Sequence, residues 1–135
     1  MATGRRSTYH FISTFYPLWA GLANPEQAQQ VKSHLGLFEL SGGLATSDYQ
    51  SGVQWDLPFD WAPTNWLSIA GPGRYGDHED AARIAREFSQ TILDNFLRDG
   101  TIRKKHNVAD GSATSKLPQA KTATWSVSDG ATQST

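Results

Sequence analysis

With 135 residues, no cysteine and a formal net charge of −1, the chain is sized for at most one domain and cannot form disulfides, thiol nucleophiles or zinc–thiolate sites. The near-neutral charge gives no basic footprint for nucleic acid, and no apolar run approaches the ~20 residues that cross a membrane. The opening MATGRRSTYHF has two arginines but no apolar core of signal-peptide length behind them, so it leaves the compartment open.

The first helical pattern covers residues 8–23. Phe11, Ile12, Phe15, Leu18, Trp19 and Leu22 recur at spacings of three and four, and Pro17 predicts a kink or a late start near Phe15. Asn24-Pro25-Glu26-Gln27 opens a second helix, with Asn24 as N-cap, Pro25 at N1 and Gln27 at the N3 position of a capping box. Ala28, Val31, Leu35 and Phe38 make its buried stripe, and Gly42 or Gly43 is expected to end it. Helices joined by so short a turn pack antiparallel.

Residues 42–63, GGLATSDYQSGVQWDLPFDWAP, follow neither the helical nor the strand period. Glycine and serine punctuate them, which predicts a long loop of the kind that usually carries function. The loop gathers Trp55, Trp61, Tyr49, Phe59, Gln54 and the carboxylates Asp48, Asp56 and Asp60. Two readings fit this composition. One is an apolar plug closing an end of a helical domain, since most tryptophans are largely buried. The other is a carbohydrate site, where indole faces cover the C–H face of a pyranose while Gln and Asp meet its hydroxyls.

Pro63 then opens a third helix bearing Trp66, Leu67, Ile69 and Ala70. Gly71-Pro72-Gly73 is expected to stop it, because forcing a helix through Pro72 costs about 3 kcal/mol. The fourth helix covers residues 77–99, with Ala81, Ile84, Ala85, Phe88, Ile92 and Phe96 as its stripe and Gly100 as its stop. Its opening Asp77-His78-Glu79-Asp80 suits the positive end of a helix dipole better than a metal. No HExxH spacing accompanies it, His10, His34 and His106 are scattered, and no metal or cofactor is implied. From Asp110 the composition turns to Ser, Thr, Ala, Gly and Lys. Residues 1–110 are therefore expected to fold and residues 111–135 to form a disordered tail.

Gln54-Trp55-Asp56-Leu57-Pro58-Phe59-Asp60-Trp61-Ala62-Pro63 resembles the second signature of the α,α-trehalases, glycoside hydrolase family 37. That signature reads Gln-Trp-Asp, any residue, Pro, any residue, a small residue, Trp, a small residue or Pro, Pro. Asp60 alone departs from it, standing where the family has Gly, Ala or Val. Phe15-Tyr16-Pro17-Leu18-Trp19-Ala20-Gly21, Gly42-Gly43-Leu44, Arg74-Tyr75-Gly76 and Asn107-Val108 are similar to further trehalase segments, in trehalase order, over residues 9–110. The resemblance implies an all-α fold, part of a twelve-helix (α/α)6 toroid. About four helices in antiparallel pairs would carry the long loop at one mouth, roughly a third of the toroid from its C-terminal half. A sector of this kind leaves apolar faces exposed.

The resemblance also implies inverting hydrolysis of α,α-trehalose. Trehalose or a related disaccharide would then be the ligand, Gln54, Trp55, Asp56 and Trp61 the substrate-binding residues, and no cofactor would be needed. Inversion requires a general acid and a general base about 6.5–9.5 Å apart. The family's acid is an Asp in an upstream motif that residues 1–43 do not resemble. Its base is the Glu of a Glu-Lys-Tyr triplet before an Asn/Asp-Val pair. Here Ile102-Arg103-Lys104-Lys105-His106-Asn107-Val108 places Lys104 at the base position and His106 at the Tyr position. A lysine is an ammonium at neutral pH and is no base there. The family's lid after Val108 is replaced by the Ser/Thr-rich tail, as an altered reading frame or a splice variant would produce.

Asp56 and Asp60 lie four residues apart on a loop containing Pro58, so sequence does not set their separation as a substitute acid–base pair. Asp56 reads as a substrate hydroxyl acceptor or as a loop-ordering residue. The expectation is a trehalase-like fragment that is inactive by itself. The alternatives are a carbohydrate-binding module without turnover, or a helical interaction protein that self-associates or meets a trehalase-like partner through its apolar faces.

Overall fold

The structure, a computed structural model, describes residues 8–109. The expected tail at 111–135 lies outside the described residues. Proline lacks the N–H that a helix interior needs, so it is best tolerated in a first turn. Accordingly Ile12–Phe15 wind as a 3₁₀ turn before one short helix, α1 (Tyr16–Trp19), begins around Pro17. Ile12, Phe15 and Leu18 are buried.

α2 (Pro25–Lys32) opens on the expected capping box. The Gln27 N–H donates to Asn24 Oδ1 at 2.8 Å, and the Asn24 N–H donates to Gln27 Oε1 at 3.0 Å. The helix stops at Lys32, well short of Gly42, and Leu35–Leu37 form a separate 3₁₀ turn. The Gln30 carbonyl, which His34 N–H would use in a continuing helix, is taken by Ser33 Oγ at 2.7 Å and His34 Nδ1 at 2.8 Å. The His34 N–H turns to Val31 O instead. Such local side-chain bonds compete with the helical ladder. Leu35 and Phe38 still reach the core, where the Phe38 ring meets Phe15 edge to face.

The expected long loop begins in regular structure. β1 (Glu39–Leu40) and β2 (Gly43–Leu44) pair antiparallel, with Glu39 opposite Leu44 and Leu40 opposite Gly43.

α3 (Ala62–Arg74) runs through Pro72, which overturns the stop expected at Gly71-Pro72-Gly73. Pro72 lies in the last turn, so a single ladder bond is lost, and its carbonyl accepts from Tyr75 N at 2.9 Å and Asp77 N at 3.2 Å. Packing holds the turn in place. A Cβ at Gly71 would lie 3.0 Å from Trp19 N and 3.1 Å from both Leu18 Cβ and Phe15 O, so α3 crosses α1 almost backbone to backbone. A side chain there would overpack the crossing.

The buried side of α3 is Thr64, Asn65, Ser68, Gly71 and Pro72, whereas Trp66 is 60% exposed. Asn65 accounts for this arrangement. Its Oδ1 accepts from Leu44 N at 2.9 Å, and its Nδ2 donates to Leu44 O at 2.9 Å and to Asp60 Oδ2 at 3.2 Å.

α4 (His78–Asp99) ends at Gly100 in the left-handed conformation at φ 70°, the usual glycine stop. Its buried edge is Ile84, Phe88, Thr91 and Asn95, while Phe96, expected inside, is 47% exposed. Thr91 Oγ1 donates to Gly42 O at 3.0 Å. The acidic opening of α4 is engaged in ion pairs: Lys32 meets Asp77 at 2.9 Å and Asp80 at 3.3 Å, and Arg83 meets Asp80 at 2.6 Å.

α3 is the hub, packing on both α1 and α4, while α2 packs on the Ile12–Phe15 turn. The core is Ile12, Phe15, Leu18, Ala28, Leu35, Phe38, Leu44 and Ile84. Among the described residues, no helix is long and apolar enough to cross a membrane.

Candidate functional site

Two buried carboxylates organise residues 45–61. Asp56 is 1% exposed. Its Oδ1 accepts from Ser47 Oγ and from the Tyr9 hydroxyl, and its Oδ2 accepts from both the N–H and the Oγ of Ser51. Burial pushes its pKa up, but the donors from Ser47, Ser51 and Tyr9 outweigh this and hold it below the ordinary carboxylate value. With two donors on each oxygen, Asp56 has no free acceptor to offer a sugar hydroxyl in this arrangement. Of the two roles open to it, the geometry carries loop ordering.

Asp60 is fully buried in a separate network. Its Oδ1 accepts from the His106 N–H at 2.6 Å and lies 3.2 Å from His106 Nδ1, and its Oδ2 accepts from Asn65 Nδ2. Burial raises its pKa, opposed by His106. Two separately saturated carboxylates do not make an acid–base pair.

Residues 104–108 lie along the loop like an added strand. Ala62 N donates to Lys104 O at 2.8 Å, Asp60 N to His106 O at 3.0 Å and Val108 N to Pro58 O at 2.9 Å, and Phe59 bridges to Asn107.

Gln54, Trp55 and Trp61 come together at the surface. The two indoles stack with centroids 4.1 Å apart and planes 11° from parallel. Trp61 Nε1 donates to the Gln54 carbonyl at 3.3 Å. A pyranose held between two rings needs about 7–8 Å, two van der Waals contacts, so none fits inside this stack. The outer face of Trp55, which is 43% exposed, is the one a ligand can cover.

Two cations stand against the same cluster. Lys104 is exposed, with Nζ 5.6 Å from the Trp61 centroid. Lys105 Nζ lies 3.9 Å from the Phe59 centroid and 5.9 Å from that of Trp61, within cation–π range. It is shut off from solvent without a hydrogen-bond partner, and burial lowers its pKa while Asp60 opposes that shift.

Reading the sequence missed Tyr9, Ser47, Ser51 and Asn65, whose roles depend on contacts distant in the chain or masked as loop punctuation. A groove of about 790 Å³ opens elsewhere, between the first helical segment and α2, and none of its lining residues is Gln54, Trp55, Trp61 or Lys104.

The family model for Trehalase matches residues 1–125. Among solved structures, the chain is similar to the neutral trehalase from Saccharomyces cerevisiae, at 34% sequence identity and a TM-score of 0.76. That match covers 83% of this chain and 22% of the yeast chain, so the protein spans about a fifth of the length of that relative. The described helices are part of the trehalase (α/α)6 fold. A family match over most of the sequence, joined to a shared fold at one-third identity, means that the chain belongs to the trehalase family.

Proposed function

We propose that this is a trehalase-like fragment that holds trehalose or a related disaccharide on the Trp55–Trp61 stack without cleaving it. The observation that carries the reading is the stack itself: its Trp55 ring is exposed and Gln54 lies beside it. The Lys104 Nζ lies 5.6 Å from the Trp61 ring, and the resemblance to the family assigns the general-base position to Lys104. A plug would bury both rings, and Trp55 is not buried. In this reading Gln54, Trp55 and Trp61 contact the sugar, and Asp56 holds the loop that presents them.

The test is quenching of tryptophan fluorescence by trehalose. Trp55→Ala is expected to abolish the response. Trp61→Ala should weaken binding about 3- to 10-fold, because the platform loses a ring–ring contact worth about 0.5–1.5 kcal/mol. Quenching of both variants like the parent would remove the platform.

A second reading rests on α4. Leu93, Phe96 and Leu97 share one exposed face, with Ile102 exposed just beyond the helix, which favours self-association. Light scattering should then show a mass that rises with concentration and that Leu97→Lys lowers. A constant monomer mass would remove that reading.

A further inference from the structure

By the resemblance described above, Asp60 stands where the trehalase signature has a small residue and His106 stands at its Tyr position, and these two residues touch. Their exchange is reciprocal. The Asp60 N–H donates to the His106 carbonyl at 3.0 Å, and the Asp60 carboxylate accepts from the His106 N–H at 2.6 Å. The ring Nδ1 lies 3.2 Å from the same oxygen, and the Phe88 ring closes over the imidazole edge to face at 5.8 Å between centroids.

Neither change is sensible alone. A fully buried carboxylate without its donors is costly, because it must be neutralised or left unpaired. An imidazole buried without an acceptor strands a polar group in the core. Side chain to side chain, the Asp60 carboxylate gives His106 Nδ1 its partner, while His106 Nε2 stays buried without one.

Position gives the pair a job beyond packing. Asp60 is the residue before Trp61, and His106 follows Lys104 and Lys105, the two cations against the Trp61 and Phe59 rings. Asn65 ties the same carboxylate to the first turns of α3. The site where loop, helix and added strand meet is therefore one side chain away from the indole stack.

We infer that Asp60 and His106 are a matched positioning pair that holds Trp61 in its stack with Trp55 and keeps residues 104–105 against it. The consequence for sugar binding rests on the platform reading above, but the positioning role does not.

A double-mutant cycle on the full chain tests it, using Asp60→Ala, His106→Phe and the double variant. Phe keeps a ring against Phe88 and removes the polar atoms. Face-to-face indoles couple electronically and give a far-ultraviolet circular dichroism couplet that is read without any sugar. Each single variant is expected to lose at least half of that couplet while the helical signal stays intact. The double variant should lose no more than the worse single, as expected for groups acting as one unit. Should Asp60→Ala fail to fold, Asp60→Asn, which keeps an acceptor for the His106 N–H, carries the same cycle. Additive losses would overturn the inference, and so would lowered stability with an unchanged couplet, since that is a merely structural pair. A couplet that behaves as expected in a chain that trehalose does not quench would sink the sugar reading and leave the pair standing.

Discussion

A complete trehalase carrying residues 1–110 of this chain in place of its homologous segment is expected to turn over no measurable trehalose, and Lys104→Glu in the same chimera is expected to return turnover. General acid–base assistance contributes about 10²- to 10⁴-fold per group, so the recovered rate should exceed the lysine background by at least about a hundredfold. Two effects act against the lysine. An ammonium accepts no proton from water, and it places a positive charge near the oxocarbenium-like charge that develops in the transition state. Lys104 stands exposed beside Trp61, with its backbone pinned by Ala62 N, so the side chain at this position is held near the indole stack. In the isolated chain Lys104→Glu should restore nothing, because the resemblance puts the acid in a motif that residues 1–43 are not expected to supply, and the platform lies open to water. Glucose release measures both cases, and activity in the lysine chimera would mean that the base lies elsewhere.

Asp56→Ala is expected to be the most destabilising single change in the loop. It strips the acceptor from Ser47, Ser51 and Tyr9 at once. Ser47 is buried, and a buried donor left unpaired costs about 1–3 kcal/mol, while the exposed Tyr9 and Ser51 lose a bond that water replaces in part. A total loss of about 3 kcal/mol is a large share of the ~5–15 kcal/mol that keeps a domain folded. The urea midpoint should fall accordingly, and a midpoint within error of the parent would show that the network contributes little.

The pH dependence has a definite sign. The folded pKa of Asp56 lies below its unfolded value because the donors outweigh burial, so its stabilisation is complete above about pH 3.9 and is lost as pH falls through the folded value. The stability gap between the parent and Asp56→Asn should therefore narrow on acidification below about pH 4. Asp60, raised by burial, titrates in the opposite sense, but it is common to both proteins and cancels. A gap that widens in acid would mean that burial wins at Asp56.

What the sequence could reveal was local. The Asn24–Gln27 box, the late start at Pro17 and the glycine stop at Gly100 each depend on neighbours within four residues, and each stands as expected. The signature around Gln54 likewise placed Trp55 and Trp61 together. Hydrophobic period alone missed the buried Asn65 and Thr91 and put Phe96 inside, while Ile84 and Phe88 of the same α4 stripe are buried as expected. Asn65 and Thr91 turn inward for backbone partners at Leu44 and Gly42, 21 and 49 residues away. Pro72 stays helical because Gly71 lets α1 approach, a tertiary effect that overrides propensity. The role of Asp56 stayed divided for the same reason: Tyr9, one of its donors, lies 47 residues earlier.

The primary amide of Asn65 presents an acceptor and a donor to Leu44 just as another strand would, and so closes one side of the two-stranded sheet. An uncovered strand edge invites pairing that can propagate from chain to chain into fibres. On that edge of β2 the Leu44 N–H and carbonyl are both taken, so a further strand would find neither group free to pair there.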